Sequence, residues 1–281
     1  GTKEPLYADH QKVWELFKTY ATSPEAALRK LTMSRWGAST AAPSLLRYAA
    51  EGIRNNHLGY HPVVEKSDAL EHYLKYFAWT DGCPGCAAAC FVPYFKNSEQ
   101  GAFGGEFRHD NTGGFNANIM VGYEEMPEIA ALTDELGMDA EELGGLVAWA
   151  MDLYEHGIIT REDLGGIELE WGDVKATCEL LKKIAYREGR APAALAEGFR
   201  RAYEVFGEES KWYAFETHGC AAPTYDLRNR YGGMGLAAGT SHNGARMGSG
   251  PLQSLTEAAT TCNFATPPFV EIWGSAEEAI R

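Results

Sequence analysis

Three thiols stand close together in Cys83-Pro-Gly-Cys86-Ala-Ala-Ala-Cys90. Thiolates at CxxCxxxC spacing can occupy neighbouring corners of one metal cluster, because the Pro-Gly pair bends the first loop and the alanine run starts a helix. A fourth ligand has to come from far off in sequence, and Cys178, Cys220 and Cys262 are the candidates. The spacing favours an iron–sulfur cluster. Zinc stays open, although its usual form is two CxxC pairs and one is present here, and so does a set of buried thiols with no ligand role.

Two further stretches carry groups that can do chemistry. Glu106-Phe107-Arg108-His109 follows the glycine-rich passage Gly101 to Gly105, and an acid and a histidine beside glycines suit a place where backbone approaches a ligand closely. A plain solvated loop is the alternative. Further on, Tyr231 to Arg246 holds many glycines at unequal spacing, whose backbone N–H groups can cradle phosphates or a polar cofactor. No strand precedes it and no βαβ unit surrounds it, so it is not a dinucleotide fingerprint.

The elements that must position these groups read as helices. Apolar residues at helical spacing mark Asp9 to about Tyr20, and Ser23-Pro24-Glu25 caps a second helix through Leu31. Ala41 to Ile53 and Ser67 to about Trp79 follow, the latter delivering the chain to the cysteines, while His57 and His61 between them read as loop or cap residues. Phe91 to Phe95 reads as a short strand. Met126 to Leu136 is helical with Gly137 as a left-handed C-cap, and Asp139 with Glu142 makes a capping box for a helix ending at Gly157. Asp173 to Arg187 and Pro192 to Phe206 are two more helices, stopped by Gly189 and Gly207, and Leu252 to Thr261 is a last one before Cys262.

The fold class expected is therefore mainly α: two packed helical domains with long glycine-rich loops and little or no sheet. Gly165-Gly166 suggests a boundary, giving 1–165 with the cysteine trio and 166–281 with the glycine-rich loop and Cys262. At 281 residues, 45% hydrophobic and 23% charged, the chain is an ordinary globular protein. A net charge of −14 with no basic patch argues against nucleic acid and anionic membranes as partners. No apolar run of about 18 residues exists for a membrane span. With no signal peptide and a metal-binding thiol trio, the expected compartment is the reducing cytoplasm. Both ends look cut, so a fragment is expected.

Read together, these stretches resemble the aldehyde ferredoxin oxidoreductase family, from about Trp36 to Phe264, in the two carboxyl-terminal helical domains. The resemblance implies tungsten or molybdenum on two pyranopterin dithiolenes beside a [4Fe-4S] cluster. Cys83, Cys86 and Cys90 are similar to the first three cluster ligands, and Cys262 in Leu255-Thr-Glu257-Ala-Ala-Thr-Thr-Cys262 sits where the distant fourth lies. Asp134-x-x-Gly137-Met138-Asp139 is similar to the family's first pterin-binding motif. Glu257 to Cys262 occupies the second, with glutamate in place of the usual aspartate. Gly235 to Ala245 resembles the glycine-rich loop beside the pterins, with Gly244 and Arg246 at its end. Cys178 is left as a buried small hydrophobe, and Cys220 as a lesser candidate for metal or substrate contact.

The catalytic expectations come from the same resemblance. Glu106 looks like the family's glutamate near the metal. The histidine that follows the glycine-rich loop in the family is absent, since the run reads Gly244-Ala245-Arg246-Met247, and His109 and His242 are the nearby substitutes. The implied reaction oxidises an aldehyde, or a related small-molecule substrate, to the carboxylic acid and passes electrons to ferredoxin or an electron-transfer subunit. A reducing-direction enzyme such as the family's benzoyl-coenzyme A reductase branch, and an iron–sulfur electron-transfer module without pterin, are the alternatives. The family's amino-terminal β-rich pterin domain is expected to be missing, and homodimerisation is left open.

Overall fold

The computed structural model describes residues 52–59, 61, 75–79, 81–82, 91–98, 101–107 and 112–222, with three single positions, Gln11, Glu15 and Lys18, in the first twenty. Those three are helical, and Gln11 Nε2 donates to Glu15 Oε1 one turn on, as the pattern of Asp9 to Tyr20 predicts. The expected helices at Ser23 to Leu31 and Leu252 to Thr261 lie outside the described residues.

The described part is mainly helical. Helix α1 (Met126–Leu136) starts with Pro127, whose missing N–H costs nothing in a first turn, and buries Met126, Ile129, Ala130 and Thr133 along one side. It ends at Gly137 (φ 66°, ψ 34°), where Gly137 N–H bonds Asp134 O and Met138 N–H bonds Thr133 O. That is the left-handed stop read from the sequence. Two residues later Asp139 caps helix α2 (Ala140–Glu155), its Oδ1 accepting from Glu142 N–H at 2.8 Å.

Helix α2 is the centre of the described residues, because every residue from Leu143 to Leu153 is buried. Its Trp149 is fully buried and meets Phe199, Tyr203 and Phe206 at ring separations of 5.1, 5.3 and 5.5 Å. Trp149 Nε1–H donates to Ser210 O at 2.9 Å, so the indole loses no hydrogen bond on burial. A π-turn, Thr112–Ala117, lies against the start of α2 at Gly144. A Cβ on Gly144 would stand 2.5 Å from Gly114 Cα, so the two backbones touch directly.

Helix α3 (Val174–Tyr186) is capped by Asp173, as expected, but its stop differs from the sequence reading. Arg187 itself takes the left-handed conformation (φ 59°, ψ 40°), and Gly189 instead opens helix α4 (Arg190–Leu195). The single helix expected over Pro192 to Phe206 is likewise two, α4 and α5 (Phe199–Phe206), because the chain reverses at Gly198 (φ 77°). A 3₁₀ turn, Glu208–Tyr213, follows, and then a minimal hairpin of β3 (Glu216–Thr217) and β4 (Cys220–Ala221). Labels β1 and β2 belong to Val92–Ser98 and Gly101–Phe107, paired antiparallel with Val92 opposite Phe107 and Ser98 opposite Gly101.

That first hairpin corrects the reading of the glycine-rich passage, which is strand and not loop. A Cβ at Gly104 would fall 2.9 Å from Tyr94 O, so glycine is what lets β2 lie this close to β1. The helix expected to run to Trp79 also stops early. Lys75 and Tyr76 are helical, but Phe77 already pairs with Tyr94. One apolar cluster runs from Val92 in β1 to Ala221 in β4 and includes residues of α1, α2 and α3. Among the described residues, no helix is long and apolar enough to cross a membrane.

Candidate functional site

The base of the cysteine loop is fixed by backbone alone. Asp81 N–H bonds Phe91 O at 3.0 Å and Phe91 N–H bonds Asp81 O at 2.9 Å, so an antiparallel bridge closes the stretch that carries Cys83, Cys86 and Cys90. Ala78 N–H adds a bond to Pro93 O at 3.0 Å. Phe77, Ala78 and Asp81 thereby lie along one edge of β1, and β2 lies along the other. Glu106, on β2, is the register partner of Pro93, two residues past the bridge. The hairpin therefore brings the candidate acid and the root of the cysteine loop onto one small sheet.

Tyr94 ties that sheet to the first pterin-like motif. It is buried, and its hydroxyl donates to Pro127 O at the start of α1. Burial, and then the negative charge of Asp134, hold its phenol well above the ordinary tyrosine range. Asp134 and Asp139 are the two ends of the α1–α2 corner. At that corner Gly137 faces open space, since an added Cβ would meet no atom within 4 Å. A concave space of about 550 Å³ opens beside it, lined by Met138, Asp139, Glu142, Arg187, Glu197 and Gly198 among others.

The charges around this space are organised. Glu142 Oε2 accepts from Ala221 N–H at 2.9 Å, which ties β4 to the first turn of α2. Arg187, placed by its left-handed backbone, pairs with Glu197 on the far wall. Carboxylates accept and do not donate, and the open backbone at Gly137 leaves room beside Asp139, so the corner is compatible with a group that presents ring N–H donors, such as a pterin.

Other sequence-derived candidates fall elsewhere. Cys83, Cys86, Cys90, Cys262, His109, His242, Gly244, Arg246 and Glu257 lie outside the described residues. Cys178 is buried in α3, and burial, then the charge of Glu128, pushes its thiol up to about 12. It is a protonated apolar filler at neutral pH. Cys220 opens β4, half-buried, and among the described residues no group of three His, Cys, Asp or Glu is placed to hold a metal ion.

Residues 9–277 match the family described as "Aldehyde ferredoxin oxidoreductase, domains 2 & 3". The chain belongs to the aldehyde ferredoxin oxidoreductase family. Within it, the chain is 31% identical over 264 residues to a Pyrococcus furiosus protein named "Aliphatic sulfonate oxidoreductase, WOR-like subunit", covering 85% of this chain and 41% of that protein. A "Tungsten-containing aldehyde ferredoxin oxidoreductase" of Pyrococcus abyssi is 32% identical over 167 residues, covering 58% of this chain and 26% of its own length. The chain thus spans about two fifths or less of these oxidoreductase relatives. Among solved structures, the active site complex BamBC of benzoyl coenzyme A reductase with 1,5 dienoyl-CoA matches at a TM-score of 0.59 and 18% identity. That match covers 80% of this chain and 36% of that one, and shares the fold.

One group had gone unread as a site. Asp152, in the middle of α2's buried run, holds His57 and Asn55 from a segment nearly a hundred residues away. The only local signal was an aspartate inside a stretch that is otherwise apolar.

Proposed function

We propose that this chain is the carboxyl-terminal part of a tungsten- or molybdenum-pterin oxidoreductase with a [4Fe-4S] cluster, which oxidises an aldehyde or related substrate to the carboxylic acid. The observation that carries it is the β1–β2 sheet, which sets Glu106 opposite Pro93 beside the closed base of the cysteine loop and is tied through Tyr94 to the start of α1, the helix that leads to the Asp134–Asp139 corner. A redox site needs those three parts within reach of one another.

In this reading Cys83, Cys86, Cys90 and Cys262 hold the cluster. Asp134 and Asp139 accept the ring N–H groups of one pterin, with Glu257 doing the same for the other and Gly244 to Arg246 flanking them. When bound, the pterin metal supplies two-electron chemistry and the cluster relays electrons singly. Conversion of an aldehyde and water to a carboxylic acid releases two electrons and two protons, and Glu106 takes one of those protons. His109 or His242 handles the second. Electrons leave for ferredoxin or for a partner subunit, and the cytoplasm keeps the thiols reduced.

A second reading keeps the cofactor and runs in the reducing direction; Arg246, one residue before the position at which the family's histidine is missing, would stabilise an anionic substrate or intermediate rather than a simple aldehyde. Metal analysis of the purified protein decides between the classes. Tungsten or molybdenum together with about four irons supports the oxidoreductase, iron alone supports an electron-transfer module, and zinc removes both. Glu106→Gln should then abolish aldehyde oxidation while leaving that metal content unchanged.

A further inference from the structure

The hairpin that carries Glu106 also sets what stands beside it, and the inference drawn from this rests on the oxidoreductase reading above. Successive residues of a strand lie on opposite faces, and residues paired across two strands share a face. The register puts Pro93 with Glu106, Phe95 with Gly104 and Asn97 with Ala102 on one face of the sheet, and Val92, Tyr94 and Lys96 on the other. That other face is the inner one. Val92 and Tyr94 are buried in the core, and Lys96 Nζ donates to Glu124 O. Phe77, the bridge partner of Tyr94, shares the inner face. Phe95 is therefore the one large apolar residue among the six on the Glu106 face.

That face changes character along its length. Pro93 is buried at the Glu106 end, whereas Phe95 and Gly104, the next pair, are both exposed. Phe95 leaves 54% of its surface open, although aromatic rings gain much from burial. Its ring leans toward Gly104, since Cδ2 comes within 3.7 Å of where a Cβ on that glycine would stand. Glycine is required there, because the same Cβ would lie 2.9 Å from Tyr94 O. Shielding this glycine accounts for one edge of the ring and leaves its exposed surface without a partner.

Phe95 and Glu106 are diagonal neighbours across the two strands, a separation of about 7–8 Å. The chain thus offers an acid for the reacting carbon and, one pair further on, an open ring on the same face. Aromatic rings pack offset or edge-on against one another and gain from it beyond the area they bury. The substrate that uses both groups carries an aryl ring a few bonds from its reacting carbon. We propose that Phe95 is a specificity-determining residue, which receives the ring of an arylalkyl aldehyde while its carbonyl end lies at Glu106.

The metal-loaded full-length protein should be assayed with hydrocinnamaldehyde and with acetaldehyde, using a viologen dye as one-electron acceptor. Each turnover consumes the aldehyde and one water, gives the acid and two protons, and reduces two dye molecules. The ratio of kcat/KM for hydrocinnamaldehyde to that for acetaldehyde should fall about tenfold in Phe95→Ala, chiefly through KM, as loss of one aromatic pair and its apolar contact requires. Phe95→Tyr, which keeps the ring, should hold the wild-type ratio. Ligand-observed NMR of hydrocinnamamide, an unreactive analogue, reads binding without turnover, and its ring protons should lose most of their saturation transfer in Phe95→Ala alone. An unchanged ratio in Phe95→Ala, or an equal fall in Phe95→Tyr, would overturn the proposal and leave Phe95 as a cover for Gly104. Should the loaded protein oxidise neither aldehyde, the reading of the reaction fails. The amide then decides the aryl site separately: Phe95-dependent binding supports it, and binding indifferent to Phe95→Ala overturns it.

Discussion

Helix α2 carries two aspartates whose environments are opposites. Asp139 sits at the N-cap, where its side chain satisfies one of the helix's spare N–H groups and faces a wide concavity. Asp152 sits three turns on in the buried run, where Asn55 and His57 supply its hydrogen bonds from a distant segment. The first is held by a rule of local sequence and the second by the tertiary fold. A solvated cap can be lost at small cost, whereas a buried carboxylate is tolerable only with its partners present.

The helix between them is the first place to break the comparison. Trp149→Ala empties the pocket formed by Phe199, Tyr203 and Phe206 and should cost about 4 kcal/mol, read as a lowered midpoint in chemical denaturation. Next, Asp152→Ala removes the acceptor that His57 and Asn55 share, leaving Asn55 only Tyr213 O, and should cost about 2 kcal/mol in the same measurement. Asp139→Ala removes one cap bond and should cost only about 1 kcal/mol. If the corner holds a pterin, however, that variant should lose tungsten or molybdenum while its cluster iron is retained. A protein in which Asp139→Ala destabilised as much as Asp152→Ala would erase the distinction.

The smallest effect is electrostatic. Glu155, at the end of α2, has its carboxyl held below the usual range by the hydrogen bond from Trp171 Nε1 and by Arg54. A carboxyl depressed in the fold stabilises above its unfolded value, and that contribution is lost as pH falls through the folded one. Because Glu155 is nearly half exposed, solvent screening keeps the gain at neutral pH to about 0.5 kcal/mol or less. Wild type and Glu155→Gln should therefore differ in thermal midpoint at pH 7 and converge as the pH drops below the usual carboxylate range.

Some of the site was legible because its causes are local. Pro127 at the start of α1, Gly137 at its end and Asp139 at the next cap act through neighbours within four residues, so Met126–Leu136 and the acidic corner could be read directly. The start of α3 at Asp173 was readable for the same reason. The family resemblance, carried by spaced motifs along the chain, is matched over residues 9–277.

Other features had no local cause. Gly198 splits one amphipathic pattern into α4 and α5, since the same apolar spacing suits one helix or two and the chain reversal decides. The glycines of β2 read as loop because their reason is the backbone of β1 pressing against them. His57 read as a loop histidine because its partner, Asp152, is ninety-five residues away. By itself the sequence determined α1 and α2 with their caps, the start of α3 and which family the motifs belong to. Only the tertiary structure decided that Glu106 stands beside the cysteine loop and that a distant turn feeds His57 to a buried aspartate, because strand register and the desolvation of a charge depend on groups the chain brings together only when it folds.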